Sequence, residues 1–160
     1  MPTQKSMSSS IAVIAFDRIS PFHLAGPCVV FGESHPGCPT FDFKVCSAES
    51  GKLHTSGGFD IAVHFGLSAL KKADIIIVPS WRDPDEKPPS ALLKALNAAY
   101  ARGAKIVGLC LGAFVLAEAG LLQGRTATTH WAFAQDFAQR YPEVKLNADV
   151  LYVEDRGIVT

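Results

Sequence analysis

A chain of 160 residues, 48% hydrophobic and 19% charged, can bury a core of its own and is too apolar to be disordered. Its 15 Lys and Arg balance 15 Asp and Glu, so these residues lack the positive field that non-specific nucleic-acid binding depends on. The first apolar run, Ile11–Phe16, is too short for a secretory signal or a membrane span, so a soluble, cytoplasmic protein is expected. The four cysteines, Cys28, Cys38, Cys46 and Cys110, form no CxxC pair and read as free thiols. No metal site and no cofactor is expected.

In chain order, residues 1–10 form a flexible polar leader and residues 11–160 a single domain. Ile11–Phe16 is the continuous apolar run of a strand covered on both faces. The loop Asp17–Pro21 leads to a helix over Leu24–Glu33, then a second strand over Phe41–Ser47. The glycine-rich Gly51–Asp60 reads as a small hairpin or arm. Asp74–Val78 is the clearest buried strand and ends in the loop Pro79–Asp85. Leu92, Leu93, Leu96 and Tyr100 recur at helical spacing across Ser90–Arg102, and Gly103 stops that helix. Lys105–Leu109 is a third buried strand running straight into Cys110. Helices follow over Gly112–Ala119 and Trp131–Arg140, the latter stopped near Pro142. Val150–Glu154 and the residues from Ile158 pair about Asp155-Arg156-Gly157.

Strands alternating with helices imply right-handed βαβ units. The expected fold is α/β: a flavodoxin-like three-layer sandwich, a mostly parallel sheet with helices on both faces. The chain stops where its last strand begins, so the domain is expected to be truncated at its C-terminal end.

Gly108-Leu109-Cys110-Leu111-Gly112 has the form G-x-nucleophile-x-G between a buried strand and a helix. A nucleophile elbow needs small flanking residues, because the central residue sits on a tight turn. Such a turn presents the thiol at the carboxyl end of the sheet, where open α/β folds bind ligands. The backbone N–H of Leu111 is placed to face an oxyanion formed there. His130, in Thr128-Thr129-His130-Trp131, is the candidate partner that activates the thiol. His23 and Asp17 follow the first strand on the same edge, and Asp17 is either a partner for His130 or a turn cap. Trp81 reads as a ligand-stacking platform or an interface anchor.

Several segments together resemble the ThiJ/PfpI superfamily, related to the glutamine amidotransferases. More narrowly, they are similar to the N-terminal domains of AraC-type transcriptional regulators of the GlxA and FtrA kind. The resemblance rests on Leu24-Ala-Gly-Pro27 with Val30-Phe31-Gly32, on Val78-Pro-Ser-Trp-Arg-Asp-Pro-Asp85, and on the long run from Gly108 to Trp131. Arg140-Tyr-Pro142 and Asp149–Asp155 also fit. It implies a ligand-sensing, dimer-forming domain, followed in the family by sheet-closing helices and an AraC helix-turn-helix domain. That second domain is absent from these residues, so DNA contact is expected only through it.

Three departures bear on chemistry. Where catalytic members carry an acid, four residues before the helix proline, this chain has His23. Leu111 follows the cysteine where Thr or Ser is usual, and Pro79-Ser80 stands where Pro-Gly is common. The elbow is kept while the acid and oxyanion machinery is weakened. The expectation is therefore a regulatory domain binding a small metabolite through His23, Ser80, Trp81, Cys110, Leu111 and His130. The alternative is a cysteine-dependent enzyme of the isonitrile hydratase or ThiJ/PfpI hydrolase type, with Cys110 and His130 catalytic. A redox-responsive thiol is a third reading.

Overall fold

The computed structural model describes residues 9–160, so of the polar leader only Ser9 and Ser10 fall within it. Eleven strands occur among these residues: β1 (Ser10–Ala15), β2 (Asp42–Ser47), β3 (Lys52–His54), β4 (Asp60–Ala62), β5 (Phe65–Gly66), β6 (Ile75–Val78), β7 (Lys105–Gly108), β8 (Thr126–Ala127), β9 (Lys145–Leu146), β10 (Glu154–Asp155) and β11 (Ile158–Val159). Four α-helices accompany them: α1 (Pro21–Pro27), α2 (Ser90–Ala101), α3 (Gly112–Glu118) and α4 (Ala134–Arg140). Seven strands form one sheet in the order β10-β11-β7-β6-β1-β2-β5, parallel except for the β10–β11 hairpin. The chain winds outward from β1 in both directions, which is the flavodoxin-like α/β arrangement expected.

Period-two alternation divides the sheet's side chains between two faces. Ala12 and Ile14 of β1, with Ile76, Val78 and Ile106, pack on Leu92 and Leu96 of α2, Phe114 and Leu116 of α3 and Phe137 of α4. Ile11, Val13 and Ile77 face the other way, against Leu24 of α1, Phe31, Phe41 and Phe43. The second face is covered only in part. Ile75, Val107 and Val159 line an open groove of about 830 Å³ with Phe22 and Val30.

The elements differ from expectation where local chemistry overrides periodicity. The helix expected over Leu24–Glu33 begins earlier, at Pro21, whose fixed φ suits a first helical position. It then passes into a single wide turn over Cys28–Gly32 with π-type pairing, just after Pro27, which has no N–H to continue the ladder. The helix expected over Trp131–Arg140 is split into a 3-10 turn (Trp131–Phe133) and α4, because the His130 Nδ1 accepts from the Ala132 N–H and tightens the first turn. Of the strand expected over Val150–Glu154 only Glu154 survives, in β10. The hairpin turns through Arg156 (φ 51°) and Gly157 (φ 81°), the left-handed pair that a two-residue loop demands. The glycine-rich arm is the β3–β4 hairpin, as expected; β5, β8 and β9, of two residues each, are too short to leave a pattern.

Candidate functional site at the carboxyl edge of the sheet

Three loops meet where β1, β6 and β7 end. β7 stops at Gly108, and Cys110 turns the chain into α3 with φ 53°, a left-handed conformation that costs a residue with a Cβ about 1–2 kcal/mol. Both flanking glycines are required by packing rather than by their own dihedrals. A Cβ on Gly108 would lie 2.7 Å from Leu116 Cδ1, and one on Gly112 would overlap the Val78 carbonyl oxygen. α3 thus lies directly on β6. The Leu109 N–H donates to that same Val78 oxygen (2.9 Å), and the Gly112 N–H closes the turn onto the Leu109 oxygen (2.7 Å). Thr129 holds the next loop against the turn, its Oγ1 donating to the Cys110 carbonyl at 3.0 Å.

His130 follows from that anchor. Its Nδ1 is occupied in accepting the Ala132 N–H at 3.2 Å, so the neutral ring carries its proton on Nε2. Trp131 stacks on the imidazole, with centroids 5.5 Å apart and planes at 27°, and Phe133 meets it edge-on. His23, from α1, shares two cavities with Cys110 and His130. Its pKa is held below the ordinary histidine value, first by burial and second by the neighbouring His130. His23 and His130 are therefore close enough to repel one another when charged.

The more polar of the shared cavities is a cleft of about 350 Å³. Its polar lining is Arg18, Ser20, His23, Ser56, Ser80, Arg82 and His130 around Cys110, with no carboxylate side chain among the described residues. Leu111 and Trp81 also reach it. All six residues expected to line a ligand site thus border one cleft. Trp81 does so in a different way from the open stacking surface anticipated. It is 4% exposed, its Nε1–H donates to the Glu86 carbonyl at 2.7 Å, and Arg82 covers one ring face at 4.6 Å. It is a wall of the cleft. Ser80 is also buried, and its hydroxyl donates weakly to the Trp81 carbonyl (3.4 Å).

Asp17 plays neither of its two expected parts, partner of His130 or turn cap. Its carboxylate accepts from the His54 N–H at 2.8 Å and from the ring Nδ1 at 3.0 Å, and these bonds hold its pKa low. It fastens the β3 arm to the loop after β1, supported by the Arg18 N–H to His54 carbonyl bond (2.8 Å). That is how Ser56, remote in sequence, reaches the cleft. Arg82 joins the remaining loops: its guanidinium donates to Glu49 (2.5 Å) and Glu86 (2.6 Å).

The site residues missed in sequence divide into two kinds. Thr129 stood within a motif already singled out and lacked only a partner to bond. Arg18 and Ser20 lie in the loop after β1 and Ser56 in the arm folded onto it, none of them in a sequence pattern. Among the described residues no cluster of three or more His, Cys, Asp or Glu suits a metal ion, and no helix is long and apolar enough to cross a membrane.

Known proteins share this architecture. In Streptomyces lividans an uncharacterized protein in the cpoL 5′ region is 31% identical over 133 residues, covering 82% of this chain and 94% of its own length. The HTH-type transcriptional regulator CdhR of Pseudomonas aeruginosa is 32% identical over 120 residues, which are 75% of this chain but 36% of the regulator. An isonitrile hydratase of Pseudomonas putida is 26% identical over 132 residues, 79% of this chain and 54% of the enzyme. The chain therefore spans about a third of the regulator and about half of the hydratase. The crystal structure of a putative transcriptional regulator protein from Vibrio parahaemolyticus superposes with a TM-score of 0.75, covering 95% of this chain and 83% of that one at 24% identity. The model of the DJ-1/PfpI family matches residues 9–160, nearly the whole of the sequence, and the chain belongs to that family.

Proposed function

We propose that this chain is the ligand-sensing domain of an AraC-type transcriptional regulator, binding a small metabolite in the cleft bordered by Cys110, His130 and His23. The observation that carries the reading is the cleft's composition. Two histidines and a thiol converge there among hydroxyl and guanidinium groups, and among the described residues no carboxylate side chain lines it. His23 fills the position of the missing acid, and burial favours its neutral form. The similarity to the regulator CdhR supports the same reading. Regulation requires that the ligand bind one conformation of the whole protein better than another. Dimerisation and DNA contact through a separate helix-turn-helix domain belong to the proposal.

The test is a thermal-shift screen of metabolites on the full-length chain and on Cys110→Ala. A stabilising compound whose effect is lost in Cys110→Ala, with the melting temperature of the unliganded variant kept, is the expected result. A compound that stabilises both proteins equally would remove Cys110 from the ligand site.

The similarity to an isonitrile hydratase favours a second reading, in which Cys110 adds to an electrophilic carbon and the Leu111 N–H steadies the developing charge. Steady turnover of an isonitrile, abolished in Cys110→Ala, would put this reading first.

A further inference from the structure

Cys110 and His130 also border a second chamber, of about 430 Å³, whose lining includes neither Arg18 nor Arg82. Its character is opposite to that of the first cleft. Among the described residues Asp149 is its one acidic side chain, and neither Lys nor Arg lines it. The Asp149 side chain makes no ion pair among the described residues. Thr128 lines the same chamber at 4% exposure, and its Oγ1 has no hydrogen-bond partner among the described residues. A buried hydroxyl without a partner is destabilising, and a ligand group able to bond it would recover that loss. Trp131 and Tyr152 border the chamber with 78% and 73% of their surfaces exposed. Trp131 uses one ring face to stack on His130. A carboxylate, an unpaired hydroxyl acceptor and open aromatic faces together are complementary to a cation that carries N–H donors and an apolar body.

Resting on the reading of Cys110 as part of a ligand site, we propose that this chamber binds the protonated primary or secondary amine end of the ligand. The ammonium is shared by Thr128 Oγ1 and the Asp149 carboxylate, and the adjoining carbon skeleton lies against Trp131 and Tyr152. The ligand is then an organic amine, and an anion is excluded from this side of Cys110.

The experiment titrates the full-length chain with benzylamine, benzyl alcohol, benzoate and benzyltrimethylammonium. The readout is tryptophan fluorescence, in which the Trp131 contribution is identified by its loss in Trp131→Ala, because Trp81 also emits and borders the neighbouring cleft. Benzylamine is expected to bind more tightly than each of the others, the quaternary ion losing the hydrogen bond to Thr128. Thr128→Val and Asp149→Asn should each weaken benzylamine about 3–10-fold, as loss of a single hydrogen bond or charge contact does. Calorimetric titration should show Trp131→Ala weaker by a similar factor. Thr128→Val is isosteric and Asp149 is exposed, so both variants keep the fold, which circular dichroism checks. Equal binding of benzyl alcohol or benzoate, unchanged affinity in both variants, or no benzylamine binding at millimolar concentration would each overturn the proposal. A metabolite whose effect depends on Cys110 but not on Thr128 or Asp149 would overturn this inference alone and leave the sensing function standing.

Discussion

At the scale of single residues, the site depends on where a Cβ is tolerated. Gly108 and Gly112 have no room for one, and Cys110 carries one in a left-handed conformation that glycine would adopt freely. The flanking glycines of the G-x-C-x-G motif were legible in sequence, and their cause is the close seating of α3 on β6. The strain at Cys110 gives a prediction that reverses the ordinary ranking. Elsewhere glycine is less stable than alanine by about 0.5–1 kcal/mol, but Cys110→Gly should be more stable than Cys110→Ala by about 1 kcal/mol. Urea denaturation of the two variants checks it. If alanine is the more stable, the chain does not hold φ 53° at this position in solution. Trp81 shows the reverse relation between sequence and structure. An aromatic in a loop reads as a ligand platform or an interface anchor, and only the packing of Arg82 and Phe16 against it reveals a wall.

Among the elements, the strands of the sheet were read closely and the helices less so. β1 is a continuous apolar run covered on both faces, and β6 and β7 are short apolar runs between loops, so their boundaries stand out, while β2 (Asp42–Ser47) mixes apolar and polar residues. α1 and the 3-10 turn before α4 depend on a proline and on one histidine nitrogen, which hydrophobic periodicity does not register. The loops are held by Arg82, whose buried guanidinium links Glu49 after β2 with Glu86 after β6, and reaches the Asp17 carbonyl at 3.4 Å. Arg82→Ala should destabilise the protein by about 1–3 kcal/mol, since both carboxylates it leaves are partly solvated. Arg82→Lys should recover little, because one ammonium cannot span both carboxylates as the planar fork does. Chemical denaturation curves measure both. A loss below about 0.5 kcal/mol in Arg82→Ala would mean that the network adds nothing to holding the loops.

For the molecule as a whole, the two sheet faces are unequal. One carries α2, α3 and α4 over a continuous core, and the other leaves Ile75, Val107 and Val159 along an open apolar groove. An accessible apolar groove of this size should bind 8-anilinonaphthalene-1-sulfonate. The 160-residue chain is expected to raise the dye's fluorescence several-fold at neutral pH, and Val107→Glu to remove most of the gain. No enhancement would mean that the groove is closed in solution. Sequence by itself determined the α/β class, the central parallel strands, the G-x-C-x-G turn and the family, because each is written in a local pattern of apolar runs and glycines. Tertiary structure alone decided that Asp17 serves His54, that Ser56 reaches the cleft, and that Cys110 stands between a donor-lined cleft and an acidic, aromatic one. Those outcomes depend on which loops the sheet order brings to one edge, and no single segment of the chain encodes that neighbourhood.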